Sequence, residues 1–224
     1  MVHPVMPSPL SRRLLAEFLG SALLAAVVIG SGIAAQRLSA DAGLQLLENA
    51  AATAAGLFAL ILIFGPVSGA HFNPVVSLVD AAFGGLRRRD LVPYIAAQVT
   101  GCVAGAVLAN AMFALAAVSI STHHRASPAH LLSEVVATCG LLLVIFSLVR
   151  TGRPATVPAA VGAYIGAAYW FTSSTSFANP AITAGRVFSD TFAGIAPASV
   201  PTFVLAQLAG GLAAFGLIRT LYPT

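Results

Sequence analysis

Apolar residues run along this chain in long, nearly uninterrupted blocks separated by short polar connections. Six blocks have the length of a bilayer crossing, about 20 residues: roughly 14–35, 44–64, 91–118, 131–149, 155–172 and 200–221, the fifth being the shortest. Two further apolar pieces, 73–83 and 179–191, are too short to span. Each opens with Asn-Pro. Asn is a good N-cap and Pro suits the first helical position, so both pieces are predicted as half-helices that start abruptly after a loop.

Composition narrows the class further. Of 224 residues, 58% are apolar and 8% charged, against about a quarter charged in soluble chains. The mean hydropathy is +0.91. Soluble enzymes, disordered chains and fibrous proteins are excluded. The expectation is one all-α membrane domain over 1–224. Arg12-Arg13 before an apolar run resembles a secretory signal, but the run is too long and Glu17 interrupts it, so it is read as a retained first span. Cys102 and Cys139 lie inside apolar runs and behave as small hydrophobes.

The net charge of +4 marks topology, not a nucleic-acid partner. Arg12, Arg13, Arg87, Arg88, Arg89, Arg150, Arg153 and Arg219 fall on one side of a six-span arrangement; Arg37, Arg125 and Arg186 fall on the other. Eight against three predicts both termini in the cytoplasm.

The two halves, about 12–118 and 130–222, repeat one another. Leu14-Leu15-Ala16-Glu17-Phe18 matches Leu131-Leu132-Ser133-Glu134-Val135, and Asn73-Pro74-Val75 matches Asn179-Pro180-Ala181. Ala96-Ala97-Gln98-Val99 likewise matches Leu205-Ala206-Gln207-Leu208. Three spans per half is an odd number, so the repeats are expected to be inverted, with a solute path at their interface near the midplane. The Asn-Pro ends then meet inside the membrane, each carrying free N–H groups and partial positive charge. Non-helical backbone at that depth is tolerated only where it is buried in protein or lines a wet cavity. The loops ahead of each motif are therefore expected to present carbonyl acceptors to a pore, with the Asn73 and Asn179 amides as donors at its centre. Opposed positive helix ends disfavour cations.

These residues resemble the aquaporin (major intrinsic protein) family: Gly69-Ala70-His71-Phe72-Asn73-Pro74-Val75 and, after the loop Ser174-Thr175-Ser176, Phe177-Ala178-Asn179-Pro180-Ala181, within an inverted three-plus-three repeat. The resemblance spans nearly the whole chain. It implies a right-handed bundle of six transmembrane helices plus two re-entrant half-helices, and a homotetramer with one passive pore per subunit. Val75 stands where the family usually has Ala. More consequentially, Ile182 occupies the place of the family's filter Arg. Family spacing puts the other filter positions at Thr53, Ala167 and Ser176, which with Ile182 imply a wide, weakly polar opening without fixed charge. The chain resembles a bacterial subgroup with an aliphatic residue at this place, associated with arsenic handling. Water and small neutral solutes follow as expected cargo, glycerol-sized molecules and metalloid hydroxides such as arsenous acid included, across a bacterial inner membrane.

Other chemistry-bearing residues receive plainer readings. Intramembrane acids such as Glu17 and Glu134 suggest ion relays by default, yet their symmetric placement favours support of the re-entrant loops. His71 is expected to offer its backbone carbonyl to the pore. Arg186, one helical turn beyond Ile182, is not expected to replace the filter Arg; its spacing to Asp190 suits an i,i+4 pair. His123-His124-Arg125 and His130 lie in a polar loop without ligand partners at zinc spacing, so no metal or cofactor is expected. A nucleophile elbow, phosphate loop or catalytic carboxylate pair is absent from the sequence, and an enzyme is not expected. A secondary active transporter, which also uses inverted repeats and broken helices, is the alternative.

Overall fold

The computed structural model describes residues 8–223; the terminal residues 1–7 and 224 of the expected domain lie outside them. Among the described residues the chain is all-helical. Eight α-helices follow in order: α1 (Leu10–Leu38), α2 (Ala42–Ser68), α3 (Pro74–Phe83), α4 (Arg88–Met112), α5 (Pro128–Arg150), α6 (Val157–Phe171), α7 (Pro180–Gly185) and α8 (Val200–Leu221).

Five of these are long and apolar enough to cross a membrane. At 1.5 Å per residue, the 29 residues of α1 exceed the roughly 30 Å hydrocarbon core. The fifth expected span is shorter. α6 has 15 residues, about 22 Å, and a 3₁₀ turn, Pro154–Thr156, extends its start. The third span also stops early, at Met112 rather than 118. Asn110 draws the chain out of helix there: its Nδ2 donates to the carbonyls of Ala117 (3.1 Å) and Phe188 (2.9 Å).

Capping explains where elements begin. The Asp41 carboxylate accepts from Leu44 N at 2.8 Å, and Asn73 and Asn179 cap α3 and α7 through their side-chain oxygens. α2 ends at Gly69, whose φ of +89° is a conformation glycine adopts without steric cost.

Packing places α1 against α2 and α4, and α5 against α6 and α8; α2 against α6 joins the two groups. Close approach depends on small residues, as the stripe Gly101-xxx-Gly105 suggests. A Cβ on Gly101 would lie 2.4 Å from the Phe18 carbonyl, and one on Gly105 2.0 Å from that of Ala22. On α8, a Cβ at Gly210 would lie 2.5 Å from the Val135 carbonyl. One end of the bundle gathers Arg13, bonded to Asp90 at 3.1 Å, and Arg150, bonded to the Tyr222 carbonyl. The opposite end gathers Arg37 on the Phe113 carbonyl and Ser121 N on the Val187 carbonyl. The outer faces carry exposed Leu15, Ile63, Leu132, Leu205 and Leu212, a surface suited to lipid and not to water.

Candidate functional site

The two half-helices meet inside the bundle through a reciprocal bond pair. Asn73 Nδ2 donates to the Ala178 carbonyl at 2.7 Å, and Asn179 Nδ2 donates to the Phe72 carbonyl at 2.8 Å. Their Oδ1 atoms meanwhile accept from Val75 N and Ala181 N, both at 2.9 Å. An amide nitrogen has two N–H groups, so each Asn keeps one after these bonds, and both side chains line the cavity described below.

The loops ahead of the motifs are held by buried carboxylates. Glu17, fully buried, accepts from Ser68 Oγ (2.6 Å), His71 N (3.0 Å), Phe72 N (2.8 Å) and Gln98 Nε2 (2.8 Å). Glu134, equally buried, accepts from Phe177 N (2.9 Å), Ala178 N (2.8 Å) and Gln207 Nε2 (2.7 Å). Each Gln continues into the neighbouring half-helix, Gln98 to Ser77 Oγ and Gln207 to Thr183 Oγ1, both at 2.9 Å. Five non-glycine residues of these loops hold positive φ: Ala70, Phe72, Thr175, Ser176 and Ala178. Such backbone costs energy and persists only where its surroundings over-determine it, and the two carboxylates do that. With the N–H groups turned to the acids, the carbonyls of Gly69, Ala70, His71, Ser176 and Phe177 accept no protein hydrogen bond among the described residues.

A cavity of about 690 Å³ runs along this seam. Its wall begins at Arg13, Asp80 and Leu86, near the end that carries both termini. It passes Gly69, Ala70, His71, Phe72, Asn73 and Asn179, and closes at Thr53, Tyr169, Ser176, Phe177, Ile182 and Arg186. Across from the polar stripe stand Leu24, Val28, Leu57, Leu141, Val161 and Ile165. His71 touches Ser77 Oγ through Nδ1 (3.0 Å) and lies 3.6 Å from Asp80. Pro74, Val75, Thr175, Ala178, Pro180 and Ala181 stand behind the wall. Val75 instead fills a notch on α8, where a Cβ on Gly211 would lie 2.5 Å from its Cγ1. That notch accommodates the residue larger than Ala.

Three sequence expectations change here. Ala167 is on the exposed outer face of α6 and is not in the wall. Tyr169 takes the cavity position, its OH 3.1 Å from Thr53 Oγ1. Two residues on a helix differ by about 200°, so an offset of two in the connection to Asn179 exchanges the faces. The second half-helix is also shorter than 179–191. α7 ends at Gly185 and a 3₁₀ turn carries Arg186–Phe188, so Asp190 never reaches Arg186 by helical spacing. Arg186 instead donates through Nε to the Ala193 carbonyl and lies over the Phe177 ring, while Asp190 accepts from Thr122 N at 2.9 Å. The far end of the cavity therefore has a bulky aromatic and a fixed charge, neither of which was expected. An Arg alone in an apolar half-helix was the available signal, since intramembrane charges are costly and generally functional.

Comparison with known proteins agrees with this architecture. The family model described as major intrinsic protein matches residues 5–177. Aquaglyceroporin AqpS of Rhizobium meliloti is 52% identical over 212 residues, covering 95% of this chain and 91% of that protein. The glycerol uptake facilitator protein of Pseudomonas aeruginosa is 34% identical, covering 85% and 78%. In fold, the X-ray structure of the aquaglyceroporin from Plasmodium falciparum superimposes with a TM-score of 0.74 at 19% identity, covering 94% of this chain and 96% of that one. The transporter alternative finds no support among these relatives. An integral membrane protein with this seam and these relatives is a passive channel and not an enzyme, and the chain belongs to the major intrinsic protein family.

Proposed function

We propose that the channel conducts glycerol-sized neutral solutes, with water and metalloid hydroxides such as arsenous acid among its cargo. The observation that carries this reading is the two-sided wall of the cavity. One side offers the free carbonyls of Gly69, Ala70, His71, Ser176 and Phe177 and the Asn73 and Asn179 amides; the other is aliphatic. A polyol has the same two sides. Its hydroxyls exchange water for fixed acceptors while its CH groups rest on Leu and Val, so dehydration is offset along the seam. Arsenous acid is neutral and of similar size, and presents hydroxyls alone.

In this reading Asn73 and Asn179 orient the solute at the centre, and Thr53, Ser176 and Ile182, joined by Tyr169, set the outer size limit. Ser176 lines the cavity, with its Oγ buried and without a protein hydrogen-bond partner among the described residues. Glu17 and Glu134 act as loop supports. The halves form an inverted repeat, the termini face the cytoplasm of a bacterial inner membrane, and subunits assemble as a homotetramer; the arginine distribution supports the orientation.

The test is stopped-flow light scattering on proteoliposomes, comparing osmotic water flow with uptake of glycerol and arsenous acid. Fast solute uptake with low activation energy is expected. Water flow without solute uptake would overturn the solute assignment, and vesicles that move nothing above the lipid background would overturn the channel itself.

A further inference from the structure

The cavity's far end holds a buried cation that the sequence pattern set aside. Arg186 is 2% exposed and forms part of the cavity wall. Its guanidinium carbon lies 3.4 Å from the Phe177 ring centroid, and its Nε donates to the Ala193 carbonyl. Among the described residues that Nε bond is the side chain's single protein hydrogen bond, and no carboxylate lies within salt-bridge distance. The acids that approach this end are already committed. Glu134 accepts from Phe177 N, Ala178 N and Gln207 and makes no salt bridge with Arg186, and Asp190 is bound to Thr122. The other cation nearby, Arg125, shares the Phe177 ring at 5.4 Å and donates to the carbonyls of Gly194 and Phe192.

A guanidinium without a carboxylate partner is expensive to bury, and its Nε bond to Ala193 leaves four donors unspent. We propose that Arg186 is a specificity-determining residue of the channel. Its Nη donors bond the oxygens of neutral solutes at the outer opening. Its charge, one turn beyond Ile182, repels cations there. The ring of Phe177 holds the guanidinium flat against the wall, so the charge is present without occupying the width of the opening. A carbonyl-pinning role alone would need only Nε. The inference rests on the channel reading and names the residue that gives it charge selectivity.

The experiment measures potassium and methylammonium flux beside glycerol flux in vesicles carrying wild type, Arg186→Gln, Arg186→Lys and Ile182→Glu. Arg186→Gln is expected to raise cation flux about tenfold or more, about 1.4 kcal/mol of barrier, while Arg186→Lys keeps cations out. Ile182→Glu leaves Arg186 and its bond to Ala193 in place but cancels the charge from one turn away, and is expected to raise cation flux similarly. It serves where Arg186→Gln does not fold. Cation flux that stays at the wild-type level in the folded Gln or Glu variant would overturn the proposal. The wild-type glycerol rate in the same vesicles tests the channel reading separately.

Discussion

Thr53 and Tyr169 close one end of the cavity as a bonded pair, Oγ1 and OH 3.1 Å apart, although 116 positions separate them in sequence. The bond ties α2 to α6 at the point where the two halves of the bundle join, and it makes the aromatic ring part of the wall. Tyr169→Ala should therefore admit polyols larger than glycerol, raising five-carbon polyol uptake several-fold while changing water flow less. Ala167→Trp, two residues away on the outer face, should leave both fluxes unchanged. Solute uptake in proteoliposomes measures both; an Ala167→Trp channel that blocks would return position 167 to the pore.

Val75 and Gly211 make a paired volume. Gly211→Ala would drive a methyl into Val75 Cγ1, since the added Cβ falls at 2.5 Å. Overpacking of this kind costs about 1–3 kcal/mol. Val75→Ala in the same chain should recover most of that loss. Thermal unfolding in detergent of the two single variants and the double variant reads the coupling, and simple additivity would mean that the contact does not decide the cost.

Glu134→Gln places an amide N–H₂ where the carboxylate now accepts from Phe177 N and Ala178 N. One buried donor then faces another. A loss of roughly 3 kcal/mol or more follows from breaking such a buried charged network, seen as lower folded yield and a lower Tm. Glu17→Gln should behave alike, for Glu17 accepts four bonds from the first loop and its supports. Stable, folded variants that instead lose only ion-coupled uptake would speak for a transporter.

Asp190 joins the segment around Thr122 to the loop after α7. The N–H of Thr122 holds its carboxyl below the ordinary value of 3.8, with help from the Thr122 hydroxyl and from His123. A lowered native value means that this stabilisation is complete above 3.8 and is lost as pH falls through the native value. Wild type should therefore lose Tm more steeply than Asp190→Asn as the pH falls below 3.8. Parallel melting curves for the two would show that the carboxylate contributes nothing to holding this loop.

Much of the site was legible because its chemistry is local. Asn-Pro at a helix start announces a cap, and two such starts with matched flanks announce a seam. Glu17 with Gln98, and Glu134 with Gln207, stand out as polar residues in apolar runs. Tyr169 was not legible. Which face of α6 looks inward depends on the path between Phe171 and Asn179, a stretch without helical period whose length shifts the face by 100° per residue. The link of Arg186 to Ala193 was hidden similarly, because i,i+4 reasoning assumes a helix that in fact ends at Gly185.

The sequence by itself determined the membrane class, the number of apolar segments, the two half-helices and the loop-supporting acids. Each of these is written in hydropathy, capping residues or the local cost of a buried charge, none of which needs a distant neighbour. Tertiary structure alone decided which side chains converge at the far end of the cavity, Tyr169 in place of Ala167 and Arg186 turned to the cavity, and how Val75 fits Gly211 behind the wall. Those outcomes depend on helix rotation and on contacts between residues far apart in the chain, and an error of one or two positions along a helix moves a side chain from the pore to the lipid.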